Sequence, residues 1–534
     1  MRIFKTKYKL PNKVSLKIGR SRRLVSATKK LIKLDVVMVT LLILVAGIVS
    51  SANMTGSPQR FEDEGTYISQ AWAVKERGDL AHYTYWYDHP PAGWIQVAGY
   101  LAATNALDRY DSAISAGREF MFLLHILSVG LLYILARRLG MSPLAASLGT
   151  LAFSLSPLVV EFSRYILLDN VALPWMLAAF ILALNPKRNL TSAVGSAACM
   201  AVAVLSKETF AVMLPVLIYA LWQNGDRRNR RYTLTSFGIV FFMLSGLYLI
   251  YALLKNELFP GAGHVSLLGS LGWQIFERAG SGSVFDASSD TRGLIGYWLN
   301  IDLWLLLTGL ICLPIAMFYK RLRIAALALL LCIIVLMRPG YLPYPYIIIV
   351  LPFAALVLAG VVDRLVIYPL CFGKRIMHLL GASTVAIVLT IVITAFVIPA
   401  WQPKLNQLAN YDSDLSSRQA IAWIERNIDP NNRLVVESAL WTDIQEKGFS
   451  KPDPVWLYKI ETDPAVAKEI AGWRGIDYVI LNGPTVGSNN FERIFPTVSE
   501  AVKNSNVVAE FGKDNQKILV YKVNNNNQIS ASSL

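Results

Sequence analysis

Apolar residues run down this chain in long blocks, and polar positions gather in the intervals between them. A run of about 20 apolar residues crosses a bilayer core as a helix. The blocks predict spans near 34–52, 118–136, 141–160, 167–184, 190–206, 208–223, 233–254, 297–318, 322–338, 344–362 and 377–399. The segment 92–107 is also apolar, but it is short and broken by Gly93, Gly99 and Asn105, which predicts a helix lying at the interface. After Trp401 the pattern changes. Leu415, Ile421, Trp423, Ile424 and Ile428 recur at helical spacing over 413–428, Asp429-Pro430-Asn431-Asn432 marks a turn, and Leu434-Val435-Val436 reads as a buried strand. A helix near 464–473, a strand over 478–481 and a hairpin of 507–512 with 517–523 complete a small α/β unit. From Asn524 the tail is polar and low in complexity, which predicts disorder.

The expected fold class is therefore a polytopic α-helical membrane protein of about 11 transmembrane helices with a small C-terminal α/β domain. Its parts are a basic arm (1–33), a membrane domain (34–400), the α/β domain (401–523) and the tail (524–534). Composition agrees: 54% of the 534 residues are hydrophobic and the mean hydropathy is +0.43, too apolar for a soluble protein of this size. The four cysteines (Cys199, Cys312, Cys332, Cys371) lie in or beside apolar runs with no Cys-x-x-Cys spacing, which excludes a secreted disulfide framework.

Charge sets the orientation. Residues 1–33 carry twelve Lys/Arg and no acid. Directly ahead of an apolar run, such an arm holds the N-terminus in the cytoplasm and touches anionic lipid, and no nucleic-acid partner is expected. The first run lacks a cleavage pattern and reads as a retained anchor. Arg137-Arg138, Lys187-Arg188, Arg227 to Arg231, Lys320 to Arg323 and Lys374-Arg375 then fall on the same side as the N-terminus in short loops. The expectation is a multi-pass plasma-membrane protein with a cytoplasmic N-terminus and an extracytoplasmic C-terminal domain.

That topology places outside the 53–117 loop, Glu161 to Asp169, Ser206-Lys207-Glu208, the 255–296 loop, and Arg338 to Pro345. Ionisable groups at a membrane surface cost solvation unless they bind something or stay wet. The first outer loop has Glu62-Asp63-Glu64 followed by Asp79 and Asp88-His89. An acidic pair with a further acid and a His can supply a general base and a cation site, and the same acids also suit a helix start. The α/β unit carries no phosphate loop, nucleophile elbow or His/Cys cluster, so it reads as an acceptor-binding or stabilising appendage.

These residues carry a resemblance. Asp63-Glu64-Gly65-x-Tyr67, Gly78-Asp79, Asp88-His89-Pro90-Pro91-x-x-Trp94, Arg164-x-x-x-x-Asp169, Leu205-Ser206-Lys207 before Leu214-Pro215, and Gly340-Tyr341-Leu342-Pro343-Tyr344-Pro345-Tyr346 occur in order on one membrane face. Over roughly residues 30–400 the chain resembles GT-C membrane glycosyltransferases of the protein O-mannosyltransferase and lipid A aminoarabinose transferase superfamily. It departs from many relatives at His89 and Tyr341, where they carry Lys.

The resemblance implies a glycosyltransferase of the cell envelope that moves a sugar from a polyprenyl-phosphate donor to a lipid, glycan or protein acceptor. Nucleotide sugars are cytoplasmic, whereas a lipid-anchored sugar reaches an outward site. Transfer needs a base for the acceptor hydroxyl and positive charge for the departing phosphate. By matching the family's acidic pair, Asp63 is the expected base, supported by Glu64 and Asp169. Arg164, Lys207 and Arg338, with Tyr344 and Tyr346, are the expected phosphate contacts. Some relatives bind a divalent cation, for which Asp88 and His264 are the expected ligands. The competing reading is a transporter or lipid flippase for a glycolipid, which charge near the bilayer midplane would favour.

Overall fold

Each apolar block folds as helix in the computed structural model, which describes residues 33–338, 340–372 and 376–524. The basic arm up to 32, the Lys374-Arg375 pair and the tail from 525 lie outside the described residues. Among the described residues, five helical stretches are long and apolar enough to cross a membrane: Lys33–Ser51, Ala113–Arg138, Arg230–Leu254, Tyr344–Cys371 and Leu379–Asn427. Two bent pairs raise this to seven: Pro143–Leu155 with Pro157–Arg164 at 61°, and Asp290–Ile301 with Leu303–Phe318 at 105°. Leu168–Ala183, Leu190–Ser206 and Arg323–Leu336 are apolar but shorter. The chain is thus a multi-pass membrane protein. Several of the expected spans are half-length pieces meeting at breaks, and the break residues are where its polar chemistry gathers.

Two of those breaks have visible causes. Pro157 opens a new helix after Ser156, whose hydroxyl accepts from the Val159 amide. Lys207 has an extended backbone between Leu190–Ser206 and the 3-10 turn Glu208–Met213.

Tyr344–Cys371 is the centre of the bundle, with 89% of its apolar window buried, whereas Leu379–Asn427 buries 6% and faces outward. Close packing around the central helix uses glycine. A Cβ on Gly149 would sit 2.5 Å from Ala359 Cβ, and one on Gly309 would sit 2.8 Å from Ala354 Cβ. Small residues let membrane helices approach and gain dispersion energy that lipid cannot replace.

The C-terminal unit is a five-stranded sheet of β1 (Leu434–Val436), β2 (Val455–Trp456), β3 (Tyr478–Asn482), β4 (Ser505–Phe511) and β5 (Ile518–Val523), in the order β2-β1-β3-β5-β4. β1 pairs parallel with β2 and β3, and β5 pairs antiparallel with β3 and β4. The helix Ser438–Glu446 and strand β2 were not legible in the hydrophobic pattern, and they carry the contact with the membrane domain.

That contact is built from buried charge and close packing. Arg60 is buried and its guanidinium donates to Asp414 at 2.6 Å and Asp443 at 2.5 Å. Asp443 also takes the Ala113 amide at the start of a spanning helix. The helix Glu62–Arg77 lies along Ser438–Glu446, and a Cβ on Gly65 would fall 2.1 Å from the Ser438 carbonyl carbon. The Tyr83 hydroxyl donates to the Pro454 carbonyl at 3.0 Å and accepts from the Trp456 amide at 2.8 Å. The α/β unit and the loop that follows the first span are packed as one body.

Candidate active site

Successive residues on a helix point about 100° apart, and the start of Glu62–Arg77 uses this to send three acids to three places. Glu62 faces the α/β unit, where its carboxylate accepts from the Ser438 amide at 3.1 Å and from the Ser438 hydroxyl. Glu437 lies against it. Burial and the Glu62 carboxylate hold Glu437 well above its ordinary value.

Glu64 turns inward and is fully buried. It accepts from Arg118 Nε at 2.9 Å and Nη2 at 2.8 Å, from the Ile166 amide at 3.1 Å and from the Phe61 amide at 3.1 Å. With a bidentate guanidinium and two amides on it, Glu64 has no lone pair left to take a substrate proton. The structure gives it a structural place, against the expectation of a catalytic one.

Asp63 points the third way, into a cluster built by four segments. Among the described residues its carboxylate accepts no hydrogen bond, and its neighbours act on it through space. Burial raises its pKa above the ordinary 3.8; Lys207 and His89 pull it down, and Glu62 and Asp88 push it up. Facing it, the Lys207 ammonium lies 3.0 Å from His89 Nε2, and His89 Nδ1 lies 3.0 Å from Glu208. Burial would lower the Lys207 pKa, but Glu208, Asp169, Asp63 and Asp88 together hold it above its ordinary value. Asp169 is buried at the first turn of Leu168–Ala183, and its Oδ2 lacks a partner among the described residues. Lys207 thus stands as a fixed cation whose charge acts on four carboxylates.

The other expected residues lie elsewhere. Arg164 donates to the carbonyls of Ser57, Leu408, Val49 and Ala52 at 2.9–3.2 Å, tying the end of the first span to the last membrane helix. Arg338 is exposed and reaches the Tyr341 carbonyl at 3.3 Å. The Tyr344 ring lies 4.9 Å from both Phe61 and Phe162, and its hydroxyl joins Tyr297, which donates to Glu161. Tyr346 is buried, its hydroxyl on the Cys332 carbonyl at 3.3 Å. Of the five expected phosphate contacts, Lys207 is the one whose charge acts on the acid cluster.

The expected cation ligands do not form a set. Among the described residues no group of three His, Cys, Asp or Glu is placed to hold a metal ion. His264 is exposed on a loop, with Nδ1 at 3.1 Å from the Val265 carbonyl. The Lys207 charge acts on the same carboxylates, and the residues present do not fit a resident cation.

Sequence reasoning missed Arg118, the chain of contacts from Lys207 through His89 to Glu208, and the contact of Ser438 and Glu437 with Glu62. The spacing showed Arg118 only as the first residue of a span, where a cation reads as an interfacial anchor.

The matching relatives bear on this geometry. A model of the dolichyl-phosphate-mannose-protein mannosyltransferase family matches residues 88–266. ArnT from Cupriavidus metallidurans, solved bound to undecaprenyl phosphate, superposes with a TM-score of 0.59 at 17% identity, over 91% of this chain and 97% of that one. This chain has the GT-C fold. The Archaeoglobus fulgidus oligosaccharyltransferase in its apo form shares it at a TM-score of 0.57 and 13% identity, over 89% of this chain and 74% of that one. The same enzyme, AglB, solved with an inhibitory peptide and a dolichol-phosphate, matches at 0.54 and 12%. No curated protein matches the sequence. Because the GT-C likeness covers nine-tenths of the chain, it includes the α/β unit as well as the helices.

Proposed function

We propose that this protein transfers a sugar from a polyprenyl-phosphate carrier to an acceptor hydroxyl or amine on the outer membrane face, with Asp63 as the base. The observation that carries the proposal is the Asp63 carboxylate: poised beside Lys207, held above ordinary carboxylate values by burial, and free of the hydrogen bonds that occupy Glu64. A base buried in this way is a better proton acceptor near neutral pH than a solvated carboxylate. The ArnT and AglB structures, solved with undecaprenyl phosphate and dolichol-phosphate, support a lipid-phosphate donor.

In the proposed step Asp63 takes the acceptor proton and the acceptor heteroatom bonds to the anomeric carbon. The bond from that carbon to the phosphate oxygen breaks, and its electron pair leaves with the polyprenyl phosphate. Lys207 supplies fixed positive charge for the phosphate, oriented by the His89–Glu208 pair. Asp169, with its unpartnered oxygen, is the candidate to orient the acceptor. A divalent cation brought in with the donor would meet Asp88 and not His264; Asp88→Ala assayed with and without added Mn²⁺ tests that requirement.

The deciding experiment follows sugar transfer from a polyprenyl-phosphate donor in membranes with matched amounts of each variant. Asp63→Asn is expected to lower turnover about a hundredfold or more, the scale of general-base loss. Near-normal transfer by Asp63→Asn would overturn the proposal. The outward site also requires the C-terminal domain to lie outside the cytoplasm, so a cytoplasm-dependent reporter fused after Leu534 is expected to stay silent.

A further inference from the structure

At the end of the bundle away from the acid cluster, the helices enclose a cavity of about 1060 Å³. The helix Ala113–Arg138 connects the two ends. Its first amide sits on Asp443 of the α/β unit and its last residues, Arg137 and Arg138, line the cavity. At 1.5 Å per residue its 26 residues separate them by about 39 Å, the depth of a bilayer with its headgroups.

The cavity's charge is one-sided. Arg137, Arg138, Arg188, Lys320 and Arg321 line it, with Asp35 as its one carboxylate. Arg137 and Tyr133 already use Asp35, at 2.9 and 2.7 Å. Among the described residues, the other four cations have no carboxylate partner. Ordinary topological charge calls for basic loops, not for a concave wall of cations over apolar side chains such as Ile134, Leu139 and Ile324. A second observation points to a ligand. Gln223, also in the wall, donates its amide to the Lys320 carbonyl at 2.9 Å, while its Oε1 is buried with no partner among the described residues. That oxygen needs a donor, and a bare phosphate dianion has none.

We infer that this cavity binds an anionic glycerophospholipid. Its phosphate sits among Arg138, Arg188, Lys320 and Arg321, a headgroup hydroxyl donates to Gln223 Oε1, and its acyl chains follow the apolar wall. Basic pockets between membrane helices are the known setting for such headgroups. The site lies a bilayer away from Asp63, so it does not depend on the proposed sugar transfer. Polyprenyl phosphate offers the same phosphate but no headgroup hydroxyl, which separates the two sources.

The test is native mass spectrometry of the purified full chain titrated with phosphatidylglycerol, phosphatidylcholine or undecaprenyl phosphate. Folding of each variant is checked by melting in phosphatidylcholine alone. The wild type is expected to retain one phosphatidylglycerol at least tenfold more tightly than phosphatidylcholine. The Arg138→Gln/Arg188→Gln/Arg321→Gln variant is expected to lose that preference with its melting unchanged. Gln223→Leu is expected to weaken phosphatidylglycerol severalfold and leave undecaprenyl phosphate untouched. Equal retention of phosphatidylcholine, full retention of phosphatidylglycerol by the triple variant, or loss of undecaprenyl phosphate in step with phosphatidylglycerol in the triple variant would each overturn the inference. Should the triple variant not fold, Gln223→Leu together with the lipid preference of the wild type decides the matter.

Discussion

Asp63 and Glu64 are neighbours on one helical turn, and the protein treats them in opposite ways. Glu64 lies in a closed region where every acceptor site is filled by Arg118 and two amides. Asp63 looks into an open region where four carboxylates share one ammonium and hydrogen bonds are left unmade. A buried ion pair adds little net stability over apolar packing, but removing one partner is costly because the other charge stays buried alone. The closed pair therefore holds the helix in one orientation. The open cluster is an electrostatically unsatisfied surface, which is the property a charged, reacting ligand can use.

Breaking the closed side is expected to give the largest effect. Arg118→Met leaves Glu64 buried without its cation and is expected to cost about 3–5 kcal/mol, read as a drop in unfolding midpoint in detergent. If the variant kept wild-type stability, Glu64 would not be the structural member of the pair.

On the open side, the expectation reverses. Asp63→Asn is expected to leave stability unchanged or slightly raised, because it removes a carboxylate that burial disfavours, while turnover falls about a hundredfold. Stability and activity losses of similar size in both variants would erase the distinction between the two acids.

Gly65 tests whether the α/β unit sets the angle at which Asp63 is presented. A methyl there meets the Ser438 backbone at 2.1 Å, so Gly65→Ala is expected to cost about 1–3 kcal/mol of overpacking. It is also expected to lower turnover of the protein that remains folded. A truncation ending at residue 404 should fail in the same manner, since it strips Asp414 and Asp443 from buried Arg60. Full activity in either variant would return the domain to an appendage.

The pH profile sharpens the comparison further. A base with a raised pKa must lose its proton before it acts, so the acid limb of the rate profile is expected above the ordinary carboxylate value of 3.8. It should shift downward in Glu62→Gln, which removes one of the carboxylates pushing Asp63 up. An unmoved limb would detach Asp63 from that limb.

The smallest effect is expected at Glu437. It ionises near 4.5 in the unfolded chain and at higher pH in the fold, so the fold holds the proton longer. Its contribution is complete below 4.5 and is lost as pH rises towards the folded value. Glu437→Gln keeps the shape without the titration and is expected to flatten that dependence at a cost of no more than about 1 kcal/mol, seen by melting across pH.

The sequence by itself determined the helical membrane class, the hairpin of β4 and β5, and the placing of Asp63 and Lys207 among the candidates. Long apolar runs and alternating strands are local properties, and the acidic pair, the Lys207 break and the tyrosine-rich segment are contiguous motifs. Tertiary structure alone decided which candidate does what. Asp63 and Glu64 differ by 100° of helix rotation, and no composition or spacing tells which faces Arg118, whose sequence distance from Glu64 is 54. Arg164 looked like a phosphate ligand until its guanidinium was found on four backbone carbonyls from three segments. The same holds for Ser438 and Glu437, which reach the acidic helix across more than 370 residues. Their roles come from long-range packing, and a buried polar group takes its meaning from the partners that packing supplies.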